Sequence, residues 1–82
     1  MKRVIRHLWI THDGVVNELS EAEWRKAFLS NLKSRSWRRL LVQFSINPRG
    51  KLNWLTINQG DAVIHLNRRQ IHALLEALEV GP

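Results

Sequence analysis

Leu40 to Leu66 reads LLVQFSINPRGKLNWLTINQGDAVIHL, and it predicts three strands joined by two short turns. Asn47-Pro48-Arg49-Gly50 has the Pro and Gly placement of a type I turn, and Asn58-Gln59-Gly60-Asp61 is a second turn signal. Because connections this short join neighbouring antiparallel strands, the stretch predicts a three-stranded antiparallel meander. Its strands are Leu40 to Ile46, Leu52 to Ile57 and Ala62 to Leu66.

The first strand of this meander alternates between an apolar and a mostly polar face. We expect the apolar residues to point into the core and the polar face to be an exposed candidate platform for a partner. The residues predicted to be inward are Leu40, Val42, Phe44 and Ile46, and those predicted to be outward are Leu41, Gln43 and Ser45.

Helices are predicted on both sides of the meander. Ser20-Glu21-Ala22-Glu23 is a capping box, with Leu19 and Trp24 placed as a hydrophobic staple, and it starts a helix over about Glu21 to Lys33. Asn67 is a good N-cap for a final helix, which ends before Gly81-Pro82. The apolar stripe of that helix, expected to cover one sheet face, is Ile71, Leu74, Leu75 and Leu78.

The N-terminal segment predicts a further strand. Val4 to Thr11 is rich in β-branched and aromatic residues, His12-Asp13-Gly14 is a turn signal, and Val15 to Asn17 can return as a short partner strand. With 82 residues the chain is one small domain, residues 1–82. The predicted fold class is α+β: an N-terminal strand or short hairpin, a helix, a three-stranded antiparallel meander, and a C-terminal helix packed on one sheet face.

The charge distribution favours an anionic partner. The chain has 13 Lys plus Arg against 7 Asp plus Glu, and nine of the 13 are arginines, which suit bidentate contacts to phosphate. From Trp24 to Gly60 there are eight cations and no acid. Lys33 to Arg39 concentrates four of them around Trp37, an arrangement that could bind phosphates and stack on an unpaired base.

A second basic feature opens the final helix. Arg68 and Arg69 occupy its first turn and Glu76 and Glu79 its last, so both pairs oppose the helix dipole. A bound anion would offset that cost. The predicted nucleic-acid-binding residues are Lys33, Arg35, Trp37, Arg38, Arg39, Arg49, Lys51, Arg68 and Arg69.

Several other functional classes are disfavoured. The absence of cysteine removes disulfides and thiolate sites and fits a cytoplasmic location. The histidines lack metal-ligand spacing, so we expect no metal. Paired carboxylates, glycine-rich phosphate loops and Gly-flanked serine nucleophiles are missing from the sequence, and we expect no cofactor and no catalytic residue. No segment approaches the length of a membrane span, and no membrane partner is expected. A chain of this length buries only a small core. We therefore expect a homodimer, whose interface would add to the buried surface.

Three family resemblances bear on function. From Ser20 onward the order of elements resembles the double-stranded RNA-binding domain, which implies that Arg68 and Arg69 contact phosphates. Small bacterial RNase toxins share that order, which would make His65 a catalytic base. Gly60 to Leu78 is similar to the last strand and helix of single-strand-binding transcriptional coactivators.

The leading hypothesis is a small basic nucleic-acid-binding protein that is not an enzyme, for DNA or RNA and for single strands or duplexes. The alternative is a phage- or plasmid-type regulator that docks on an acidic surface of a host protein. The same cations serve both functions.

Overall fold

The structure is a computed structural model that describes residues 4–35 and 37–79. Its elements are β1 (Val4–Ile10), β2 (Val16–Glu18), α1 (Glu21–Ser34), β3 (Leu40–Ile46), β4 (Leu52–Gln59), β5 (Ala62–Asn67) and α2 (Arg68–Glu79). The predicted α+β fold class is confirmed. Ser36 in the basic segment, and the predicted terminator Gly81-Pro82, lie outside the described residues.

The five strands form one antiparallel sheet with the order β2-β1-β3-β4-β5. The predicted meander is its β3-β4-β5 half, and the short N-terminal hairpin is β1-β2. The sequence patterns did not predict that β1 also pairs with β3 along its whole length, from Val4 opposite Ile46 to Ile10 opposite Leu40. This pairing makes β3 the central strand and joins the two hairpins into one sheet.

The two turns of the meander lie close to their predicted places. The Gly50 amide donates to the Asn47 carbonyl over 2.9 Å, which closes the predicted β-turn, and Gly50 has a positive φ of 80°. The β4–β5 turn is tighter than predicted, because β4 continues to Gln59 and only Gly60 and Asp61 separate the strands.

The predicted capping box at the start of α1 is confirmed. The Glu23 amide donates to the Ser20 hydroxyl over 3.2 Å, and the Ser20 amide donates to the Glu23 carboxylate over 3.1 Å. The bond from the Ser20 amide to the Glu23 carboxylate, together with the Ser20 hydroxyl beside that carboxylate, lowers the pKa of Glu23. At the other end, Arg35 adopts a left-handed conformation and its amide donates to the Asn31 carbonyl over 2.8 Å, which caps the helix.

Replacing Ser20 with alanine is expected to lower the free energy of unfolding at neutral pH by about 1 kcal/mol. The difference should narrow at an acidic pH, below the ordinary pKa of a glutamate, because a carboxylate with a lowered folded-state pKa stabilises the fold above its unfolded pKa and loses that effect as pH falls through the folded value. Urea unfolding at neutral and at acidic pH measures the loss of unfolding free energy and its dependence on pH. Ser20→Thr keeps a capping hydroxyl and is the control. Equal losses of unfolding free energy in Ser20→Ala and Ser20→Thr would contradict a stabilising role for the capping hydroxyl.

The sheet has two chemically opposite faces, which follow from the strand register. α1 lies over the first, because Trp24 of α1 contacts His7 and Asn31 of α1 contacts Asn58. We call this the covered face, and its residues are Ile5, His7, Trp9, Asn17, Leu41, Gln43, Ser45, Trp54, Thr56, Asn58, Val63, His65 and Asn67. The second, which we call the open face, has Arg6, Glu18 and Gln59 as its polar members, and its other residues are Val4, Leu8, Ile10, Val16, Leu40, Val42, Phe44, Ile46, Leu55, Ile57, Ala62, Ile64 and Leu66.

The predicted orientation of β3 is therefore wrong. Leu41 and Ser45, predicted to form an exposed platform, are fully buried on the covered face. Val42 and Phe44, predicted to point into the core, lie on the open face instead. Several polar side chains of the covered face can be buried because they are hydrogen-bonded there: Asn58 bonds Asn31 of α1, while Gln43 bonds His7 and Thr56 bonds His65 within the sheet.

Two asparagines hold α1 on the covered face. Asn31 Nδ2 donates to Asn58 Oδ1 over 2.9 Å and to the Arg39 carbonyl over 3.2 Å. Asn58 Nδ2 donates to the carbonyls of Gly60 and Ala62, each over 3.0 Å. Both asparagine side chains are fully buried. The network therefore ties α1, the segment before β3 and the β4–β5 turn to one another.

Trp24 is the main apolar contact of α1 with the sheet. Its ring stacks on Phe28 with centroids 5.4 Å apart and meets the edge of His7 at 5.9 Å. Within the described residues, the buried apolar side chains are Trp24, Leu41 and Ile71. Trp24 is therefore a core residue, and the core is small.

α2 begins directly after β5 and packs on the sheet beside β4 and β5. The predicted N-cap is confirmed, because the Gln70 amide donates to Asn67 Oδ1 over 2.8 Å. Ile71 is the one buried member of the predicted stripe, whereas its leucines are exposed. The stripe thus covers less of the sheet than the sequence predicts; its exposed members are Leu74, Leu75 and Leu78.

Candidate nucleic-acid interface

The connection between α1 and β3 carries five of the predicted binding residues. We call it the linker patch, and it consists of Lys33, Arg35, Trp37, Arg38 and Arg39. The Trp37 side chain is 60% exposed, while its carbonyl accepts a hydrogen bond of 2.8 Å from Gln59 Nε2. The backbone at Trp37 is thus tied to β4 and the ring is available for stacking.

Gly60 allows the β4–β5 turn to approach this patch closely. A Cβ atom on Gly60 would lie 3.3 Å from the Arg35 carbonyl oxygen and 3.4 Å from the Trp37 indole nitrogen, and Gly60 also has a positive φ of 59°. A side chain would therefore be both strained and crowded at this position. Because residue 60 is a glycine, the β4–β5 turn can pack closely against Arg35 and Trp37 of the linker patch.

Part of the charge of the linker patch is already engaged within the chain. Arg35 Nε lies 3.8 Å from the carboxylate of Asp61, but both side chains are exposed, so the pair is weak. The Arg39 guanidinium lies 5.2 Å from the centre of the Trp9 ring, a cation–π contact that also shields that indole. Trp37 is accordingly the aromatic residue of this region that faces solvent.

A second group of cations lines a cleft of about 610 Å³ between the β3–β4 turn and α2. We call it the hairpin cleft. Its cationic lining is Arg49, Lys51 and Arg68, with His72 beside them. No carboxylate lines the cleft, and none of the three cations has a carboxylate partner among the described residues. The other lining residues are Asn47, Gly50, Leu52, Ile71 and Leu75.

Local structure explains how the hairpin cleft is built. Asn47 Oδ1 accepts hydrogen bonds from the amides of Arg49 and Lys51, over 2.9 and 3.0 Å, and so fixes the shape of the turn. On α2, Arg68 and His72 are four residues apart and share one side of the helix. The i, i+4 spacing from Arg68 is the feature of the sequence that could have identified His72, which is not among the predicted binding residues.

The predicted binding residues thus fall into two groups at opposite ends of β3. A strand of seven residues is about 20 Å long, so Arg49 and Lys51 are far from the linker patch with which the sequence grouped them. The fold instead brings Arg49 and Lys51 to Arg68. Arg69 is exposed on α2 but does not line the cleft.

His65, the candidate base of the RNase resemblance, is exposed on β5. Its Nδ1 atom lies 2.9 Å from the hydroxyl of Thr56. Because Thr56 is buried, this hydrogen bond orients the histidine ring without presenting the hydroxyl to solvent. Among residues 4–35 and 37–79 there is no group of three metal-ligating side chains.

Comparisons with protein-family models, curated proteins and solved structures found no match. In the described part of the chain, neither helix has the length and apolar character needed to cross a membrane.

Proposed function

We propose that the protein binds nucleic acid, with phosphates in the hairpin cleft and a base stacked on Trp37 of the linker patch. One observation carries the proposal: cations from two separate segments of the chain, Arg49 with Lys51 and Arg68, line one cleft to which the described residues contribute no carboxylate. Like charges repel, and a bound polyanion relieves that repulsion.

The start of α2 supports the same proposal. Its first turn has no acidic residue and its last turn no basic one, so the charges of Arg68 and Arg69 oppose the helix dipole. A phosphate at Arg68 reverses this cost, because an anion is favourable near a helix N-terminus. The apolar wall of the cleft, Leu52 with Ile71 and Leu75, can contact a sugar or the flat surface of a base.

The spacing of the two sites favours a single strand of several nucleotides. The hairpin cleft and Trp37 are separated by roughly the 20 Å length of β3, a distance within the site sizes of proteins that bind single strands. An exposed indole beside cations matches that mode, because stacking needs an unpaired base. A duplex would use the cations alone.

Replacing both Arg49 and Arg68 with glutamine is expected to weaken binding to a single-stranded oligonucleotide and to reduce the slope of log affinity against log salt by about 1.4. Fluorescence anisotropy across a salt series measures both quantities. The matched control replaces Arg25 and Lys26, on α1, with glutamine; it removes the same charge and should leave the slope nearly unchanged. An equal effect of both pairs would contradict a defined site and leave only general attraction.

Replacing Trp37 with alanine is expected to weaken single-strand binding by about 5- to 150-fold, because a stacked base contributes about 1 to 3 kcal/mol. The salt slope and duplex binding should not change, since no charge is lost. Trp37→Phe, which keeps a ring, should restore most of the affinity.

Absence of binding to single strands and duplexes at low salt, or a flat salt response, would overturn the proposed function. Retention of an acidic protein by the same cations after nuclease treatment would then favour the regulator hypothesis.

A further inference from the structure

In this fold a helix packs on the more polar of the two sheet faces, which is the reverse of the usual arrangement. α1 covers the polar side of the sheet, and the open face, with polar residues only at Arg6, Glu18 and Gln59, is left to solvent. α2 contacts β4 and β5, so in the described residues no helix packs over β1 and β3 from the open side. Water therefore meets a contiguous apolar surface that spans five strands.

Exposure at the edges of this face is high. Val16 on β2 is 58% exposed and Ile64 on β5 is 53% exposed, at the two opposite edges of the sheet. The central residues Val42 and Phe44 are shielded by their neighbours on the sheet but not buried. Monomeric proteins rarely expose an apolar patch larger than a few hundred Å².

The chain exposes more surface than a compact monomer of its mass does. Its solvent-accessible surface is 6425 Å², whereas a monomeric protein of 9.6 kDa exposes about 5,100 Å². Its radius of gyration is 13.6 Å, against about 11.7 Å for a compact chain of 82 residues. A stable interface buries roughly 800 Å² on each partner, which is less than this whole-chain excess of about 1,300 Å².

Charge identifies the partner that suits the open face. Arg6 and Glu18, its only charged residues, neutralise each other through a bidentate pair with distances of 2.7 and 2.8 Å. The face is thus electrically neutral in a chain of net charge +6. A second copy presents the same neutral apolar surface and brings no repulsion, whereas an anionic partner would find no net charge to attract it.

We propose that the open face packs against the open face of a second copy, which forms a closed, symmetric dimer. Two sheets then meet face to face, about 10 Å apart, with Val42 and Phe44 in the buried layer. The interface is isologous: both copies contribute the same residues, so each residue of the open face is buried once on each copy. The hairpin cleft and the linker patch are not part of it.

The test is the oligomeric state of the full chain in solution. Sedimentation equilibrium and light scattering should give twice the mass of 9.6 kDa for the wild type. Ile64→Lys and Val16→Lys should each raise the dissociation constant of the dimer by about 100-fold or more, because each places two unpaired charges in the interface. Leu29→Lys is the matched control: Leu29 is 55% exposed on α1, and the same change there should leave the dimer intact.

A second measurement covers variants that fail to fold. The melting temperature of a dimer rises with protein concentration, so the wild type and Leu29→Lys should show this dependence. A folded wild-type monomer with a concentration-independent melting temperature would overturn the proposal. Open-ended aggregation, or binding of the monomer to lipid vesicles through this face, would overturn it as well.

Discussion

Replacing Asn58 with alanine is expected to lower the free energy of unfolding by about 3 to 5 kcal/mol, because it leaves several buried polar groups without partners. The Asn58 side chain accepts from Asn31 and donates to the carbonyls of Gly60 and Ala62, and none of it is exposed. Water cannot replace these bonds without opening the contact between α1 and the sheet. For a domain of this size the loss is a large share of total stability.

Chemical denaturation at a fixed protein concentration measures the effect of Asn58→Ala. The control is Asn53→Ala, because Asn53 is on the same strand and is not part of the buried network. That variant should change stability by less than about 1 kcal/mol. Similar losses at Asn53 and Asn58 would show that the buried network is not what fastens α1.

Replacing Trp24 with alanine is expected to cost about 3 to 5 kcal/mol as well, through a cavity and not through unpaired polar groups. Trp24 is buried between Phe28 and the ring of His7, and few other apolar residues of the described chain are buried with it. The small core gives little opportunity for neighbours to fill the space. Thermal and urea unfolding, with near-ultraviolet circular dichroism for the tryptophan environment, would measure the loss.

Trp24→Phe separates packing from polarity at the same position. The Trp24 indole nitrogen is buried and has no hydrogen-bond partner among the described residues, so phenylalanine removes an unsatisfied donor while it keeps an aromatic ring against Phe28. We expect a loss well below that of Trp24→Ala, under about 1.5 kcal/mol. A phenylalanine variant as unstable as the alanine variant would contradict this account of the core.

Much of the fold was predictable because its signals are local. The capping box at Ser20 and Glu23, the turn at Asn47 to Gly50 and the N-cap at Asn67 each depend on residues at most three positions apart. The physical interactions that form them are the same in any context. The order of helices and strands, and the meander, followed from these signals.

The candidate site was predictable in its residues but not in its arrangement. The linker patch is one continuous segment, so the sequence shows its charge and its tryptophan directly. The hairpin cleft joins Arg49 to Arg68, which are brought together only because β4 and β5 return the chain to the end of the sheet where α2 starts. Sequence spacing alone grouped Arg49 with the wrong cations.

Alternation along β3 predicted a strand but could not show which of its faces α1 covers. Apolar residues occur at both parities, with Leu41 on one face and Val42 on the other, so hydrophobicity pointed to the wrong side. Contacts of Asn31 with Asn58 and of Trp24 with His7 determine which face α1 covers. The partners in these contacts are 27 and 17 positions apart along the chain. Local hydrogen bonding and side-chain periodicity specify helices, strands and turns, but strand order and the covered face depend on contacts between distant residues, which only the folded chain brings together.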